Sequence, residues 1–325
     1  MKTSFLGQPF FFWLIAAVTA ILAAWPGLEG NIGLRETLMP AVISIIMASN
    51  LNLMIGFTGY VNFGNVVFFG LGGYFGVWLT TQMGWPLPLS ALAGGCAVSV
   101  LALVFGLGIL RLRGAYFALA TIGVNEAVRV FVQNFDPWGN GTGMTLSFTA
   151  YQPLGGPRPA LWAIYFMMLV VMAASLYLAW GIRRSKFGLG LFAIREDEDA
   201  AGVLGVPARR YKAMVYAASA FLPAMAGALY FFKNAVIDPE QAFDLSRSVE
   251  IIVMLMLGGQ GRVTGALLGA FVYEELRGLL LTNETLSNFQ LVIAGLLLLG
   301  IVQFVPGGLT GWLFDRWPKL KGWLE

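Results

Sequence analysis

Long apolar runs separated by short polar or Gly/Pro-rich breaks make up most of this sequence. A helix needs about 20 predominantly apolar residues to cross a bilayer, and most of the runs are close to that length. Ten runs stand out: residues 10–27, 38–55, 66–82, 87–110, 114–133, 160–181, 213–232, 246–259, 264–281 and 289–304. Because an α-helix satisfies its backbone hydrogen bonds within one segment, the pattern predicts an all-α polytopic membrane protein with about ten transmembrane helices.

The first run has two interpretations. Met1 and Lys2 precede it and small residues end it, as in a secretory signal peptide. Trp25 and Pro26 make a poor cleavage site, however, and this favours a retained transmembrane helix.

Composition supports a membrane fold and excludes several kinds of chemistry. Hydrophobic residues make up 58% of the 325 residues and charged residues 11%, against about 45–50% and about 25% in soluble domains. Ten spans would use the whole chain, so we expect one domain over residues 1–325. The chain has no His, one Cys and no Gly-x4-Gly-Lys-Ser/Thr phosphate loop. We therefore expect no catalytic residue, no cofactor and no metal.

The placement of Lys and Arg predicts the orientation. Basic residues concentrate in loops of equal parity, above all in residues 183–212, and the positive-inside rule places such loops in the cytoplasm. Both termini then lie in the cytoplasm, and 14 of the 20 Lys and Arg fall on that side. Residues 134–159 and 233–245 should lie outside.

Ten spans would also divide into five-plus-five inverted halves, as in many transporters. The two glycine-rich interruptions, residues 56–65 and 258–261, do not fall at equivalent positions of the two halves. The sequence therefore offers little support for this arrangement.

The first interruption is rich in amides. It and the end of the preceding run contain these polar or small residues amid apolar sequence: Asn50, Asn52, Gly56, Thr58, Gly59, Asn62 and Asn65. At membrane depth such side chains must be hydrogen-bonded inside the protein or line a cavity, and glycine allows the backbone to unwind. Two interpretations remain open: a broken helix that lines a substrate path, or a cytoplasmic loop with close helix packing.

A second small-residue stretch surrounds Gly258 and Gly259. Glycines at 261, 265 and 269 recur at four-residue spacing, which permits close helix approach. Packing explains this pattern, and a direct role of residues 258–261 in the substrate path is the alternative.

Few ionisable residues occur inside the predicted spans. Glu126 with Arg129, and Glu274 with Arg277, have the spacing of neutralising pairs on one helix face. Glu250 has only Arg247 at a suitable spacing, which makes it the better candidate for a polar group that faces the path.

Residues 191–205 predict a short cytoplasmic helix that ends before Pro207. Acidic residues near its start suit the helix dipole, and small or apolar side chains at 193, 194, 200, 201 and 204 share one arc. A helix this short cannot persist alone in water, so it must dock, either on its own membrane helices or on a partner protein. We assign coupling to a partner to these residues: Arg195, Glu196, Asp197, Asp199, Ala201, Gly202, Leu204 and Gly205.

Several of these stretches, taken in order, resemble one known family. Residues 52–74, 110–117, 126–129, 184–230, 248–270 and 304–309 are together similar to the LivM-type permease of the branched-chain amino acid ABC transporters. Residues 193–206 are similar to the family's coupling region. The resemblance implies a single permease domain of a bacterial inner-membrane importer, with a coupling segment at about 191–207.

The resemblance also implies partners and a mechanism. The partners would be a second permease like LivH, two cytoplasmic ATPase subunits, a periplasmic solute-binding protein and the lipid bilayer, with no nucleic acid. Transport would proceed by alternating access driven by ATP on the partner subunits. Asn65 stands where the family usually has His, and residues 139–144 fit the family's glycine-rich loop only in part. The solute therefore stays open between branched-chain amino acids and urea, short amides or another small solute.

An ion-coupled secondary transporter is a less favoured alternative. Such a transporter would ordinarily carry Asp, His or Lys within its spans, and the predicted spans contain none.

Overall fold

A computed structural model describes residues 4–5, 8–29, 32–281 and 307–317, with scattered positions between 289 and 303. The helices in this part of the chain are α1 (Phe10–Glu29), α2 (Ile32–Thr58), α3 (Asn65–Gln82), α4 (Leu87–Ile109), α5 (Ala115–Gln133), α6 (Pro157–Arg184), α7 (Lys186–Glu196), α8 (Glu198–Val203), α9 (Ala208–Asn234), α10 (Pro239–Ala242), α11 (Leu245–Gly258), α12 (Val263–Leu281) and α13 (Gly308–Arg316). Two short antiparallel pairs join β1 (Ser4–Phe5) to β2 (Gln8–Pro9) and β3 (Met144–Thr145) to β4 (Val236–Ile237). Short 3-10 helices occupy Asp136–Trp138, Asn140–Thr142 and Phe148–Leu154.

The apolar runs are helical, which confirms an all-α polytopic membrane protein. Nine of the ten predicted runs fall on helices, and most of the tenth, residues 289–304, lies outside the described residues. By length and composition, five described helices could cross a membrane: α2, α4, α5, α6 and α9. A sixth span results if Pro239–Gly258 and Val263–Leu280 count as one broken span. The chain bends by 118° between these two helices. The ten-span count stays a prediction.

Helix α2 is the centre of the bundle. It contacts α6, α9, α11 and α12, and 94% of the residues in its most apolar 18-residue stretch are buried. A helix that is apolar all round is stable only when other elements surround it, and α2 meets that condition.

Glycines allow α3 and α9 to pack closely. A Cβ atom added at Gly72 would lie 2.3 Å from the Cα atom of Ala224, and one at Gly76 would lie 2.3 Å from the Cβ atom of Ala228. Such small-residue contacts replace the hydrophobic driving force that is missing inside a bilayer. Helices α4 and α5 instead expose much of their apolar surface.

The bundle has two distinct ends. Glu36 near the start of α2 forms an ion pair with Lys233 at the end of α9, whereas Tyr60, just past α2, contacts Lys212 near the start of α9. Helices α7 and α8 lie at the second end, and the β3–β4 pair lies at the first. The loops predicted for opposite sides of the membrane therefore lie at opposite ends of the bundle.

Helix α1 packs along α6. The Tyr165 hydroxyl donates to the Leu22 carbonyl at 2.8 Å, and the Tyr177 hydroxyl donates to the Phe12 carbonyl at 3.1 Å. The two helices thus run antiparallel, and the start of α1 lies at the end of the bundle that holds α7 and α8.

Candidate functional site

The predicted coupling helix is two helices rather than one. The chain breaks at Asp197, whose backbone is extended (φ −159°, ψ 112°) and whose carboxylate accepts from the amides of Asp199 and Ala200 at 2.9 and 3.0 Å. Asp caps a helix N-terminus better than it continues one, so it ends α7 and starts α8. The prediction of a single helix over residues 191–205 was wrong for this reason.

The break also divides the predicted apolar arc. Ile194 and Ala201 are buried against their own chain, with 3% and 2% of their surfaces exposed. Val203 and Leu204 are 88% and 81% exposed, and Gly202 and Gly205 beside them are exposed too. Assigning Ala201 to a partner interface was therefore wrong. The free apolar surface is the pair Val203–Leu204, of which the sequence identified only Leu204.

Glu198 holds α8 on the bundle. Its carboxylate accepts a hydrogen bond from the Tyr60 hydroxyl and forms a 2.8 Å ion pair with Lys212, whose side chain is only 2% exposed. The Lys212 ammonium also donates to the Tyr60 hydroxyl at 2.9 Å. Glu198 therefore faces the bundle rather than solvent, because its partners come from α9 and from the segment after α2.

The surroundings of Glu198 fix its charge. Burial raises the pKa of its carboxyl, but hydrogen bonds from Lys212 and Tyr60, together with the charges of Lys212 and Arg113, outweigh burial and lower the pKa overall. Beside it, the Arg113 guanidinium donates two hydrogen bonds, of 2.9 and 2.8 Å, to Asp199 and holds the pKa of that carboxyl below its usual range. Glu196 is exposed at the end of α7.

Arg195 joins the coupling segment to the first glycine-rich break. Its guanidinium donates to the carbonyl of Gly56 at 2.7 Å, and its Cγ atom would lie 3.4 Å from a Cβ atom added at Gly59. Gly59 has φ +75° and ends α2, so the turn and the close approach of Arg195 both favour glycine here.

The two glycine-rich breaks meet beneath Arg195. The Asn52 amide donates to the Arg262 carbonyl at 3.0 Å and accepts from the Gly261 amide at 2.8 Å. A Cβ atom added at Gly56 would lie 2.5 Å from the nitrogen of Gly261, so only glycine fits at that position. We call this contact of Asn52, Gly56, Arg195, Gly261 and Arg262 the junction.

Beyond α2 the chain turns back along α11. The junction lies at the end of α11, whereas the Val66 amide donates at 3.4 Å to the hydroxyl of Ser248 in the first turn of α11. Ser248 and Gly258, the last residue of α11, are ten residues or about 15 Å of helix apart. Residues 59–64 cover most of that length without helical structure, so α3 begins well inside the bundle. This geometry favours a broken helix over a simple end loop.

The other predicted path residues have different surroundings. Asn50 donates to the Ile46 carbonyl and to the Ser175 hydroxyl of α6 at 2.8 and 3.0 Å. Asn62 accepts from the Gly64 amide at 2.9 Å, which is a local turn. Neither polar atom of the Asn65 side chain has a hydrogen-bond partner among the described residues, although Asn65 is fully buried. Thr58 donates to the Met54 carbonyl at 2.6 Å.

Gly258 and Gly259 pack against neighbouring backbone. A Cβ atom added at Gly258 would lie 1.7 Å from the Gly265 carbonyl oxygen, and one at Gly259 would lie 2.6 Å from the Gly307 carbonyl oxygen. The Thr310 hydroxyl of α13 donates to the Gly258 carbonyl at 2.7 Å. Close packing thus accounts for these two glycines, as the four-residue spacing predicts.

Glu250 lines a polar cavity in the other half of the molecule. The cavity has a volume of about 260 Å³ and lies between α3, α9, α11 and α12. Its lining residues are Val66, Phe69, Tyr230, Phe231, Gln241, Asp244, Arg247, Glu250 and Arg277. Glu250 is buried, with 6% of its surface exposed. The predicted ion pair of Arg277 with Glu274 is present, with 3.7 Å between a guanidinium nitrogen and a carboxylate oxygen. Among the described residues, no group of three metal-ligating side chains occurs.

Comparison with known proteins identifies the class of transporter. The family described as "Branched-chain amino acid transport system / permease component" matches residues 33–302, which is most of the chain. The chain belongs to this family. It is therefore a permease of the ABC transporter class, embedded in the inner membrane as a multi-pass protein.

Several curated relatives are similar to the permease. It is 27% identical to the high-affinity branched-chain amino acid transport system permease protein LivM of Escherichia coli, over 91% of this chain and 74% of that protein, and equally to LivM of Salmonella typhimurium. It is 28% identical to the ribose import permease protein RbsC of Bacillus subtilis, over 42% of this chain and 45% of that protein. No solved structure is significantly similar to the permease.

The structure brings together predicted residues that the sequence treated separately. Arg195 from the coupling segment, Asn52 and Gly56 from the first break, and the backbone of the second break meet in the junction. Sequence reasoning missed Tyr60, Glu198 and Lys212, because their partnership spans up to 152 residues and leaves no local spacing signal.

Proposed function

We propose that this permease moves branched-chain amino acids across the inner membrane by alternating access, driven by ATP hydrolysis on partner subunits. The junction is the observation that carries the proposal. It ties the backbone of two helix breaks, where a path can open, to a surface segment that offers an exposed apolar pair. A displacement of that segment by a partner protein would be transmitted to both breaks through the guanidinium of Arg195.

The coupling segment is suited to a partner protein. Val203 and Leu204 lie at the C-terminal end of the six-residue helix α8. The ion pairs of Glu198 with Lys212 and of Asp199 with Arg113 hold this helix in place. Exposed apolar side chains on a rigid support are the usual anchors of a packed interface. In the proposal they enter a cleft on the ATPase subunit, so the end of the bundle that holds α7 and α8 faces the cytoplasm.

Membership of the family supports the proposed assembly. It comprises this chain as one permease domain over residues 1–325, a second LivH-like permease, two ATPase subunits and a periplasmic binding protein. Ten spans with both termini in the cytoplasm suit the positive-inside charge pattern and the opposite placement of the loops.

The path is proposed to follow the broken helix. Asn62 and Asn65 lie where the chain turns back inside the bundle, and burying an unpaired amide costs about 1–3 kcal/mol unless water or solute reaches it. Glu250 and its cavity lie towards the start of α11, the helix whose end leads to the junction. Asn50 and Asn52 support the path by fixing α2 to α6 and to the second break.

The solute assignment rests on the LivM relatives. Ribose and autoinducer 2 permeases are also among the similar proteins, at lower coverage, so permeation of another small solute such as urea or a short amide is the second candidate. An ion-coupled secondary transporter has less support, because the family consists of ABC permeases.

ATP-driven uptake in vesicles tests the proposal. The permease, its LivH-like partner, the ATPases and the binding protein would be co-reconstituted with radiolabelled leucine outside and ATP inside. We expect uptake that requires ATP and withstands proton and sodium ionophores. Uptake sustained by an ion gradient without the ATPases would instead support the secondary transporter.

A pair of variants tests the role of α8. Leu204→Asp should reduce co-purification of the ATPase and abolish uptake, because a charge would be buried at a packed interface. Phe148→Asp is the matched control, since Phe148 is 80% exposed at the opposite end of the bundle. If both variants retained the ATPase and normal uptake, α8 would not be the coupling element.

A further inference from the structure

The cavity beside Glu250 lies where a solute from outside would first enter the path. It lies away from the junction, since Tyr230 and Phe231 belong to the last turns of α9 and Arg277 to the last turns of α12. With the coupling end in the cytoplasm, the cavity is in the outer half of the bundle. A solute arriving from outside would reach it before the junction.

The lining of the cavity carries charges of both signs, and Glu274 outside the lining pairs with Arg277. Two guanidiniums, of Arg247 and Arg277, face two carboxylates, of Asp244 and Glu250. The Nε atom of Arg277 is buried and has no acceptor among the described residues. A ligand with one charge of each sign has a lining group of opposite sign for each of its charges, whereas a ligand with a single charge would use only one of the two kinds of lining group.

The walls and the size restrict the ligand further. Val66, Phe69 and Phe231 provide an apolar side to the cavity. The adjoining crevice beside Ile251 and Met254 has a volume of only about 10 Å³, which is too small for a ligand side chain. The volume of about 260 Å³ is below the usual range of about 300–1,000 Å³ for ligand pockets, so only a small solute fits. A sugar, which is uncharged, would match neither the charges nor the apolar side of the cavity.

We propose that this cavity is a binding station for a small zwitterion with an aliphatic side chain. Arg247 and Arg277 receive its carboxylate, Glu250 receives its ammonium group, and the side chain lies against the apolar side formed by Val66, Phe69 and Phe231. The inference rests on the proposed function, because it assumes that the cavity lies on the solute path. Occupancy would be sensed at the junction through α11, which runs from the cavity to Gly258.

Equilibrium binding to the assembled transporter tests the station. The complex would be purified in lipid nanodiscs without its binding protein, and three probes compared: L-leucine, 3-methylbutylamine, which lacks the carboxylate, and 4-methylpentanoate, which lacks the ammonium group. We expect saturable leucine binding with at least about tenfold weaker binding of either analogue. The absence of saturable leucine binding to the wild-type complex would overturn the inference.

Variants assign the two charges separately. Glu250→Gln should weaken leucine about tenfold and leave 4-methylpentanoate almost unchanged, whereas Arg247→Gln should spare 3-methylbutylamine. Arg247→Lys keeps the charge and should keep the order of preference. Arg158→Gln, which alters an exposed arginine away from the cavity, is the control.

The outcomes separate this inference from the importer proposal. Equal weakening of all three probes, or none, in Glu250→Gln and Arg247→Gln would overturn the station, even if ATP-driven leucine uptake proceeds. Selective loss of leucine binding in a complex that shows no ATP-driven uptake would support the station and count against the importer.

Discussion

Lys212 is almost fully buried, yet it lies close to the coupling surface. Its charge is compensated inside the chain by Glu198 and by the Tyr60 hydroxyl. Removing one member of a buried ion pair leaves the other uncompensated, which costs more than the pair itself contributes. Glu198 thus positions α8, whereas Val203 and Leu204 remain available to a partner.

Substituting Glu198 tests this positioning role. Glu198→Gln should lower the stability by about 1–2 kcal/mol, less than for a fully buried pair because the Glu198 side chain is 18% exposed. Glu196→Gln should change it by less than about 0.5 kcal/mol. Thermal unfolding of the purified permease measures both, and equal melting temperatures for the two variants would contradict the assignment.

The pH dependence has a definite sign. The pKa of Glu198 is lowered in the folded chain, so the carboxylate stabilises the fold above its ordinary pKa of about 4.3, and this contribution is lost as the pH falls through the lower folded value. The stability difference between wild type and Glu198→Gln should be constant from about pH 6 to 8 and shrink below about pH 4. A difference that grows on acidification would contradict this account.

Two asparagines that look alike in the sequence should respond oppositely to Leu. Asn52→Leu removes the partners of the Gly261 amide and the Arg262 carbonyl, so it should cost about 2 kcal/mol or more in stability. Asn65→Leu removes an amide without a described partner, so stability should hold while uptake falls. Unfolding midpoints and vesicle uptake measure the contrast. Normal uptake by a stable Asn65→Leu variant would show that Asn65 does not line the path.

At the scale of elements, the sequence predicts the helices better than their breaks. Apolar runs of about 20 residues have few alternatives in a bilayer, so helices 87–109 and 115–133 end within one residue of the predicted bounds. The break at Asp197 depends on a cap hydrogen bond, and the coupling network depends on contacts between residues 60, 198 and 212. Tertiary contacts of that kind leave no periodic signal in one sequence.

The contact between the two helix breaks depends on Gly56. A Cβ atom there would lie 1.9 Å from the Asn52 Oδ1 atom and 2.5 Å from the Gly261 nitrogen, so Gly56→Ala should separate the breaks. We expect an assembled complex that hydrolyses ATP but takes up leucine about tenfold more slowly. Gly108→Ala, at a position with open space within 4 Å, should have no such effect. Wild-type uptake by Gly56→Ala would mean that the breaks need not touch.

At the scale of the whole molecule, the two ends of the bundle should face different compartments. In a Cys96→Ser background, a Cys at Gly202 should react with an impermeant reagent only from the cytoplasm, and a Cys at Asn140 only from outside. Spheroplasts expose the outer side of the membrane to the reagent, and inverted vesicles expose the cytoplasmic side. Labelling of both positions from the same side would contradict the predicted orientation and the proposed position of the ATPase.

In the proposed mechanism, Arg195 transmits ATP-driven movement of the coupling segment to the helix breaks. The most direct measurement is the number of leucine molecules taken up per ATP hydrolysed in reconstituted vesicles, for Arg195→Gln and for Arg210→Gln, an exposed arginine in the first turn of α9. We expect the Arg195→Gln complex to assemble and to hydrolyse ATP. Its ratio of leucine taken up to ATP hydrolysed should fall about tenfold, because the charge-assisted hydrogen bond to the Gly56 carbonyl is lost. The Arg210→Gln ratio should equal that of the wild type. An unchanged ratio in Arg195→Gln would contradict the account.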